Sequence, residues 1–431
     1  MIGIRREDKS EWEGRVPLVP ADVRRLIEEH GLEIQVRKSP TRAFKDADYQ
    51  RAGAAVTEDL RDCPLIMGVK EIPPEKLKPD TVYVYFAHVI KGQPANMPAL
   101  RRLLELNCTL IDYERIVDEQ GRRLVFFGRY AGLAGMIDTL WAFGQRLRHE
   151  GVENPFTRIQ PAHRYDDLEH AQRELSAVAE DIRKQGLPAA LQPLICGFAG
   201  YGQVSQGAQS IYDLLPVCEI APEELDSVAP DAHTCYKVVF REEHLVTRRQ
   251  ADQPFELQEY YQHPERYQGT FFPAARHLHI LVNCIYWEPK YPRLIDAEQF
   301  RELYAGEPPR LRVIGDITCD IDGSLACTTR ATDPADPVYV YDPQTRETHN
   351  GVAGNGPVVL AVDFLPCELP VDASNYFSQT LSPFIAGLAK ADYSRTLDES
   401  GLPPELQRAT VVYRGELTEP YRYLEQHLLG E

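Results

Sequence analysis

Residues 194–220 read LICGFAGYGQVSQGAQSIYDLLPVCEI, and this stretch decides the fold. The apolar run at 194–198 is typical of a buried strand, and the small residues after it predict a tight turn, a helix and a second strand. This arrangement presents backbone N–H groups and the positive end of a helix to phosphate groups. The stretch therefore predicts a Rossmann-like unit that binds a dinucleotide.

Three glycines shape the predicted turn. Gly200 and Gly202 lack a Cβ, so the chain can turn tightly and phosphate can approach the backbone. Gly207 is expected to let the new helix pack closely on its strand. The spacing differs from the usual G-x-G-x-x-G, because the last glycine is displaced. An ordinary strand-to-helix connection that needs small residues for packing is the alternative interpretation.

On the nucleotide interpretation, the turn and the start of the helix bind the pyrophosphate. The residues concerned are Gly200, Gly202, Gln203, Val204 and Gly207. Glu219 follows about twenty residues after the first glycine, where a carboxylate accepts the ribose hydroxyls. An acid at this place favours NAD, because it repels the 2′-phosphate of NADP.

The composition limits the class of protein. The chain has 431 residues, 43% of them hydrophobic, which predicts two domains. Its net charge of -18 argues against nucleic acid and anionic membranes as partners, since both need a basic face. The N-terminus has no apolar signal segment, and no apolar run is long enough to span a membrane. We expect a cytoplasmic protein, and an oligomer is compatible with this composition.

No pattern predicts a metal site or a nucleophile. The nine cysteines include no C-x-x-C pair, and we interpret them as reduced, buried side chains. His277 and His279 share one face of a predicted strand, but no cysteine or carboxylate nearby completes a set of metal ligands. The nucleophile motif G-x-S-x-G does not occur.

Apolar runs alternate with helical patterns along the chain. This order predicts an α/β fold of two doubly wound, Rossmann-like domains with an interdomain cleft that takes the substrate. We expect residues 1–140 to form the first part of the substrate domain and residues 141–355 the dinucleotide-binding domain. Residues 356–431, with helices predicted at 377–388 and 421–429, complete the substrate domain.

A series of motifs in fixed order resembles one known family. The motifs are GRVPLVP from Gly14, GVKEIPPEKL from Gly68, FAHVIKGQ from Phe86, FGRYAGLAG from Phe127, the glycine turn, NCIYW from Asn283 and DITCDIDGS from Asp316. Their order is similar to that of the alanine dehydrogenase and lysine-forming saccharopine dehydrogenase family. NPFTRIQPAHRY and VDFLPCELPVDAS resemble its lysine–2-oxoglutarate reductase branch, the N-terminal half of aminoadipic semialdehyde synthase. The resemblance covers residues 2–428, and we expect no second dehydrogenase after it.

The resemblance implies an oxidoreductase that condenses L-lysine with 2-oxoglutarate and reduces the imine to saccharopine, or runs the reverse. This chemistry needs cations for the substrate carboxylates and groups that move protons. The branch implies NADPH whereas Glu219 favours NAD, so the expected cofactor is NAD(P)H. An opine-type or amino-acid dehydrogenase with other substrates, and a nucleotide-binding regulator without chemistry, are the alternatives.

Lys70 and His88 match the acid–base residues of the family. Both follow apolar strands, and side chains at the carboxyl end of a parallel sheet reach its crevice. Histidine titrates near neutral pH, whereas lysine needs burial or neighbouring cations before it acts as a base. Glu71 and Glu114 match the flanking carboxylates, and the division of roles between Lys70 and His88 stays open. A solvated lysine and a turn histidine are the alternatives.

The remaining candidates bind substrate or nucleotide. Arg5, Arg6 and Arg15 are the expected cations for carboxylates, since a guanidinium binds a carboxylate through two parallel hydrogen bonds. An ordinary charged surface strand is the alternative. The FGRYAGLAG segment predicts a close helix crossing, with Tyr130 beside the substrate.

By the same resemblance, Asn283 and Ile285 line the nucleotide cleft. Asp320 matches the acid beside the nicotinamide ribose in alanine dehydrogenase. Asp316, at the end of a predicted strand, can be confused with Asp320. A strand-ending aspartate often only caps the turn that follows it.

Overall fold

The structure is a computed structural model that describes residues 1–250, 253–306 and 309–428. It divides into two compact units: unit 1 comprises Met1–Phe127 and Pro370–Glu431, and unit 2 comprises Gly128–Leu369. The boundaries expected after residues 140 and 355 differ from this division. The reason is that the long helix beginning at Gly128 is continuous and its apolar face joins the core of unit 2, as does Leu369 near the other boundary.

Parallel strands with helices between them form most of each unit, and antiparallel strands are added to them. In the described part of the chain the strands are β1 (Ile2–Ile4), β2 (Ile34–Arg37), β3 (Ala55–Thr57), β4 (Leu65–Met67), β5 (Val82–Tyr85), β6 (Thr109–Asp112), β7 (Leu194–Ala199), β8 (Val217–Ile220), β9 (Cys235–Phe240), β10 (Val246–Arg248), β11 (Tyr267–Gly269), β12 (Ile280–Asn283), β13 (Val313–Asp316), β14 (Val338–Tyr341), β15 (Thr348–Asn350), β16 (Val358–Leu360), β17 (Thr410–Tyr413) and β18 (Glu416–Leu417).

The α-helices of the described residues are α1 (Pro20–His30), α2 (Asp46–Arg51), α3 (Met97–Glu105), α4 (Gly128–His149), α5 (Leu168–Gln185), α6 (Gln203–Tyr212), α7 (Glu242–Leu245), α8 (Leu257–Gln262), α9 (Phe272–Ala275), α10 (Ala297–Leu303), α11 (Pro370–Lys390), α12 (Pro404–Ala409) and α13 (Glu425–Leu428). Short 3₁₀ helices connect several of these elements. One of them, Glu419–Leu424, occupies the first part of the helix predicted at 421–429. Residue 429 lies outside the described residues.

Unit 1 has one sheet in the order β18-β17-β6-β5-β4-β1-β2-β3. Strands β1 to β6 are parallel, and β17 and β18 add an antiparallel edge. The strand order reverses between β1 and β4. In doubly wound sheets ligands bind outside the carboxyl ends of the strands at this switch point. The residues that follow β1 and β4 therefore border the expected crevice of unit 1.

Unit 2 has a second sheet in the order β15-β14-β16-β13-β12-β7-β9-β8. The six strands from β16 to β8 are parallel, and the order reverses between β7 and β12. The predicted α/β class with doubly wound, Rossmann-like sheets is confirmed. One detail differs from expectation, because β9 lies between β7 and β8.

The predicted glycine-rich helix is α4, and it crosses α6 at very short distance. A Cβ added at Gly132 would lie 1.9 Å from the carbonyl oxygen of Val204, and one at Gly207 would lie 2.2 Å from the carbonyl oxygen of Arg129. Gly207 thus faces the backbone of α4, whereas we expected it to face its own strand. The crossing fixes α6, and with it the glycine turn at the end of β7.

Candidate functional site

The glycine turn of unit 2 joins β7 to α6. Gly200 has φ +94°, a backbone conformation that favours glycine. Gly202 is the N-cap of α6, and a Cβ added there would meet no atom within 4 Å. The first backbone N–H groups of a helix have no partner within the helix, and here they belong to residues such as Gln203 and Val204. Open space above them fits a pyrophosphate.

A cavity of 470 Å³ lies beside this turn. Its wall includes Gly200, Gly202, Ile285 and a group of aromatic side chains, namely Tyr201, Tyr260, Tyr261, Tyr286 and Tyr291. Aromatic side chains beside a phosphate-binding turn suit a flat purine ring. The residues of unit 2 therefore fit the adenosine diphosphate part of a dinucleotide.

Glu219 lies away from this cavity. It is on the edge strand β8, and β9 separates it from β7. Its side chain is 60% exposed, and its carboxylate forms an ion pair with Lys237 Nζ at 3.0 Å. A glycine pattern does not specify strand order, so sequence reasoning assigned Glu219 to the strand beside β7. The strand beside β7 is β9, and the residue that follows β9 is Arg241.

The DITCD segment contains two aspartates, Asp316 and Asp320, and the structure places them in different surroundings. Asp316 is 1% exposed and accepts hydrogen bonds from Asn283 Nδ2 at 2.8 Å and from Thr328 Oγ1 at 2.5 Å. Asn283 also donates to Ser324 Oγ at 2.9 Å. Asp316 and Asn283 thus tie the ends of β12 and β13 together. Asp320 is half-buried in the loop that follows.

At the switch point of unit 1, buried charges join the ends of β1 and β4. Arg5 donates to Glu7 Oε2 at 3.0 Å and to Asp8 Oδ1 at 2.7 Å. The carboxylate of Glu7 also accepts the backbone N–H groups of Val69 at 2.8 Å and Lys70 at 3.0 Å. Burial raises the pKa of Glu7 although Arg5 opposes the shift. Glu7 therefore holds the Lys70 backbone against the end of β1.

Lys70 follows β4 and is half-buried. Within the described residues its ammonium group forms no hydrogen bond or ion pair. Burial, followed by the positive charge of Arg15, lowers the pKa of Lys70. An amine that is desolvated and lies beside a cation can exchange protons more readily than an exposed lysine.

His88 follows β5 with φ +50°, a conformation uncommon outside glycine. Its Nδ1 lies 2.6 Å from Glu71 Oε1, and Lys9 Nζ lies 2.9 Å from Glu71 Oε2. Burial raises the pKa of Glu71, but the bonds from His88 and Lys9 outweigh burial and hold this pKa well below its ordinary value. An ionised carboxylate that orients an imidazole is an arrangement suited to proton transfer.

Arg15 forms a buried ion pair with Glu13. Its Nε donates to Glu13 Oε1 at 2.7 Å, and its Nη2 donates to Glu13 Oε2 at 2.5 Å. The guanidinium also lies 4.4 Å from the centre of the Phe127 ring. Burial raises the pKa of Glu13, but Arg15 outweighs burial and lowers it. Any substrate carboxylate at Arg15 therefore shares the guanidinium with Glu13.

Two further candidates of unit 1 have other surroundings, and a third lies on an element of unit 2. Arg6 lines a separate cavity of 310 Å³ together with Arg37 and Lys38. Glu114 forms an ion pair with Arg123. Tyr130 belongs to unit 2, at the start of α4. The arginines next to one another in sequence diverge because alternate residues of an extended chain point to opposite sides.

Three acids of the cluster around Lys70 and His88 in unit 1 were missed by sequence reasoning: Glu7, Glu13 and Asp112. Asp112 ends β6 and is fully buried, and burial raises its pKa to about 7 although the nearby His88 charge opposes the shift. Its Oδ2 has no hydrogen-bond partner in the described residues. For Asp112 the available signal was an acid at the end of an apolar run, similar to the position of Lys70 and His88 after apolar strands.

No helix at 1–250, 253–306 or 309–428 has the length and apolar character needed to cross a membrane. The same residues contain no group of three or more histidine, cysteine or acidic side chains arranged around a metal ion.

Comparisons with known proteins agree with this architecture. Residues 3–134 match the family model for the alanine dehydrogenase/PNT N-terminal domain. A solved L-alanine dehydrogenase superimposes with a TM-score of 0.63 over 99% of this chain and 98% of the other, at 17% identity. The fold is therefore that of the alanine dehydrogenase class.

Two relatives found by sequence are more similar to this chain than the solved L-alanine dehydrogenase is. The chain is 35% identical to α-aminoadipic semialdehyde synthase of Arabidopsis thaliana over 98% of its own length and 41% of that relative. It is 28% identical to saccharopine dehydrogenase [NAD(+), L-lysine-forming] of Yarrowia lipolytica, over 90% of this chain and 92% of the relative. The predicted resemblance is confirmed: nearly the whole chain is similar to the α-aminoadipic semialdehyde synthases, and it spans less than half the length of the Arabidopsis relative.

Proposed function

We propose that the protein is an oxidoreductase that condenses L-lysine with 2-oxoglutarate and reduces the product to saccharopine, and that it also runs the reverse reaction. The observation that carries this proposal is the cluster at the switch point of unit 1. It combines a lysine amine that forms no hydrogen bond or ion pair within the described part of the chain, a histidine oriented by a carboxylate and two buried arginines. Similarity to the Yarrowia lipolytica protein, which is named as an L-lysine-forming saccharopine dehydrogenase, supports the same substrates.

The cofactor in this proposal is NAD(P)H, which supplies the hydride that reduces the carbon–nitrogen double bond. In unit 2 the turn at Gly200 and Gly202 would hold its pyrophosphate, and the tyrosine-lined cavity would hold its adenine ring. Asp320 would accept the nicotinamide ribose. The Yarrowia lipolytica relative is named for NAD(+), which supports a nicotinamide cofactor.

The residues of unit 1 would bind the substrates and move protons. Arg5 and Arg15 would bind substrate carboxylates, with Glu7 and Glu13 holding each guanidinium in place. Lys70, with its lowered pKa, would accept the proton that the lysine ε-ammonium must lose before attack on the ketone. His88, oriented by Glu71, would donate the proton with which the carbinolamine hydroxyl leaves as water.

A substrate panel tests this proposal. The full-length protein is supplied with 2-oxoglutarate, each amino acid in turn, and NADH or NADPH, and nucleotide oxidation is followed. We expect lysine to be the preferred amine. Preference for another amine or oxo acid would instead identify an opine-type or amino-acid dehydrogenase. Tight nucleotide binding without oxidation of any pair would favour a regulator. The cytoplasmic location and the oligomeric state stay predictions.

A further inference from the structure

The order of strands in unit 2 changes the position at which the adenosine ribose of a bound dinucleotide is expected. Strand β9 pairs directly with β7 over its whole length, from Leu194 opposite Cys235 to Ala199 opposite Phe240. In Rossmann-like units the ribose lies above the carboxyl end of the strand beside the glycine-turn strand. The end of β9, and not the end of β8, is therefore the position that distinguishes a 2′-hydroxyl from a 2′-phosphate.

The last residue of β9 carries no charge. Phe240 is 1% exposed, belongs to the apolar core of unit 2 and also lines the cavity beside the glycine turn. The last residue of this strand therefore offers no carboxylate to the ribose, and Arg241 and then Glu242 follow it.

The Arg241 side chain lies beside the glycine turn. Its guanidinium carbon is 4.6 Å from the centre of the Tyr201 ring, and Tyr201 is the residue between Gly200 and Gly202. A cation held against an aromatic face keeps its orientation without losing its charge. Within the described residues, Arg241 forms no salt bridge with a carboxylate, so its planar fork of donors is available to an anion.

The neighbouring acids have other partners. Glu219 is occupied by Lys237, which also binds Asp213 Oδ1 at 2.8 Å. Glu242 opens the short helix α7 and accepts a hydrogen bond from Tyr261 Oη at 2.7 Å. Glu242 lines the cavity as well, so it is the rival residue: acting alone, it would favour NADH.

We propose that Arg241 binds the adenosine 2′-phosphate and makes the site selective for NADP(H) over NAD(H). This inference rests on the proposed function, since it assumes a nicotinamide dinucleotide at the glycine turn. Arg241 acts in it as a specificity-determining residue, and the aromatic platform of Tyr201 holds the guanidinium for the phosphate.

Calorimetric binding to the full-length protein tests the inference without turnover. The probes are NADPH, NADH, 2′-phospho-ADP-ribose and ADP-ribose, measured with the parent protein and with Arg241→Ala. We expect the parent to bind each 2′-phosphorylated probe more tightly than its partner. Arg241→Ala should weaken the two phosphorylated probes about tenfold to a hundredfold, the loss of a charge-assisted hydrogen bond, and change the other two less than about threefold.

Two further variants keep the result interpretable. Arg276→Ala removes another exposed arginine of unit 2 that lies over an aromatic ring, Phe272 at 4.9 Å, and should leave all four affinities unchanged. Glu242→Gln should not reverse the preference. An equal loss of all four probes in Arg241→Ala, or a parent that prefers NADH, would overturn the inference while the proposed function stands. Failure of the parent to bind any of the four probes would overturn both.

Discussion

At the scale of single residues, the cations proposed for substrate carboxylates are already bonded to acids of the same cluster. Arg5 donates to Glu7 and Asp8, and Arg15 donates twice to Glu13. Removing one member of a buried pair leaves the other charge without a partner in a place that excludes water. Substitutions in this cluster therefore change stability as well as substrate binding, and the two effects need separate measurements.

We predict that Arg15→Ala lowers the free energy of unfolding by about 3–5 kcal/mol, because Glu13 is then buried and unpaired. Urea denaturation checks the value. The double variant Arg15→Met with Glu13→Gln should lose less than Arg15→Ala, since no unpaired charge is left. Equal losses in the single and double variants would show that the ion pair is not what stabilises this region.

Lys70 and His88, the residues proposed to move protons, give a second prediction. Lys70→Met and His88→Gln should each lower turnover about a hundredfold to ten-thousandfold, the usual contribution of a positioned acid or base. Both should keep dinucleotide affinity, because Lys70 and His88 belong to unit 1 and the glycine turn to unit 2. Steady-state kinetics and nucleotide titration measure the two effects. The matched control is Lys45→Met, an exposed lysine of unit 1, which should keep the parent rate. Variants of Lys70 and His88 that both turn over normally would remove these residues from the mechanism.

At the scale of elements, α4 and α6 cross where glycines allow two backbones to touch. Gly207→Ala places a Cβ 2.2 Å from a carbonyl oxygen of α4 and should destabilise the protein by about 1–3 kcal/mol or more through overpacking. Gly202→Ala meets no atom and has an ordinary φ of -73°, so it should keep stability. It should instead weaken dinucleotide binding, because the methyl group enters the phosphate space. Thermal unfolding and calorimetry of the pair give the comparison, and the opposite pattern would contradict the assignment of the turn.

Asp138 of α4 and Glu368 form a buried pair of carboxyl groups, which makes the stability of the protein depend on pH. Asp138 of α4 accepts the Ala162 N–H at 2.7 Å, and Glu368 accepts the His163 N–H at 3.3 Å. Burial raises the pKa of both groups, that of Asp138 well above its usual value and that of Glu368 to about 7. At a pH between the ordinary glutamate pKa and about 7, the folded state still holds the proton of Glu368, which the unfolded state has released.

The sign of the pH effect follows from that difference. Stability from the pair is present below about pH 4.5 and is lost as the pH rises toward 7, at up to about 1.4 kcal/mol per pH unit for one proton. Urea denaturation across this range should show the decline, and Glu368→Gln should flatten it. The exposed Glu169→Gln serves as the control and should leave the slope unchanged. An equal slope in Glu368→Gln and the parent would exclude the pair as its source.

At the scale of the whole molecule, the sequence predicted what depends on local pattern. The glycine turn, the α/β class and the placing of Lys70 and His88 after apolar strands all follow from short-range periodicity. Glu219 was misplaced because pairing between β7 and β9 depends on packing across the sheet, which no local pattern encodes. The contact of Glu7 with the Val69 and Lys70 N–H groups was missed for the same reason, since it joins the ends of β1 and β4. Glu13 pairs with Arg15 only two residues away, but an acid and an arginine at that spacing in a loop are not distinguished by pattern from exposed charges.

The most direct test of the central claim is product formation with labelled cofactor. The full-length protein is incubated with L-lysine, 2-oxoglutarate and NADPH or NADH that carries deuterium at both C4 positions, and products are identified by mass spectrometry. We predict saccharopine with a single deuterium on the carbon that was the ketone of 2-oxoglutarate. A folded protein that binds the nucleotide but forms no deuterated saccharopine with either cofactor would contradict the account.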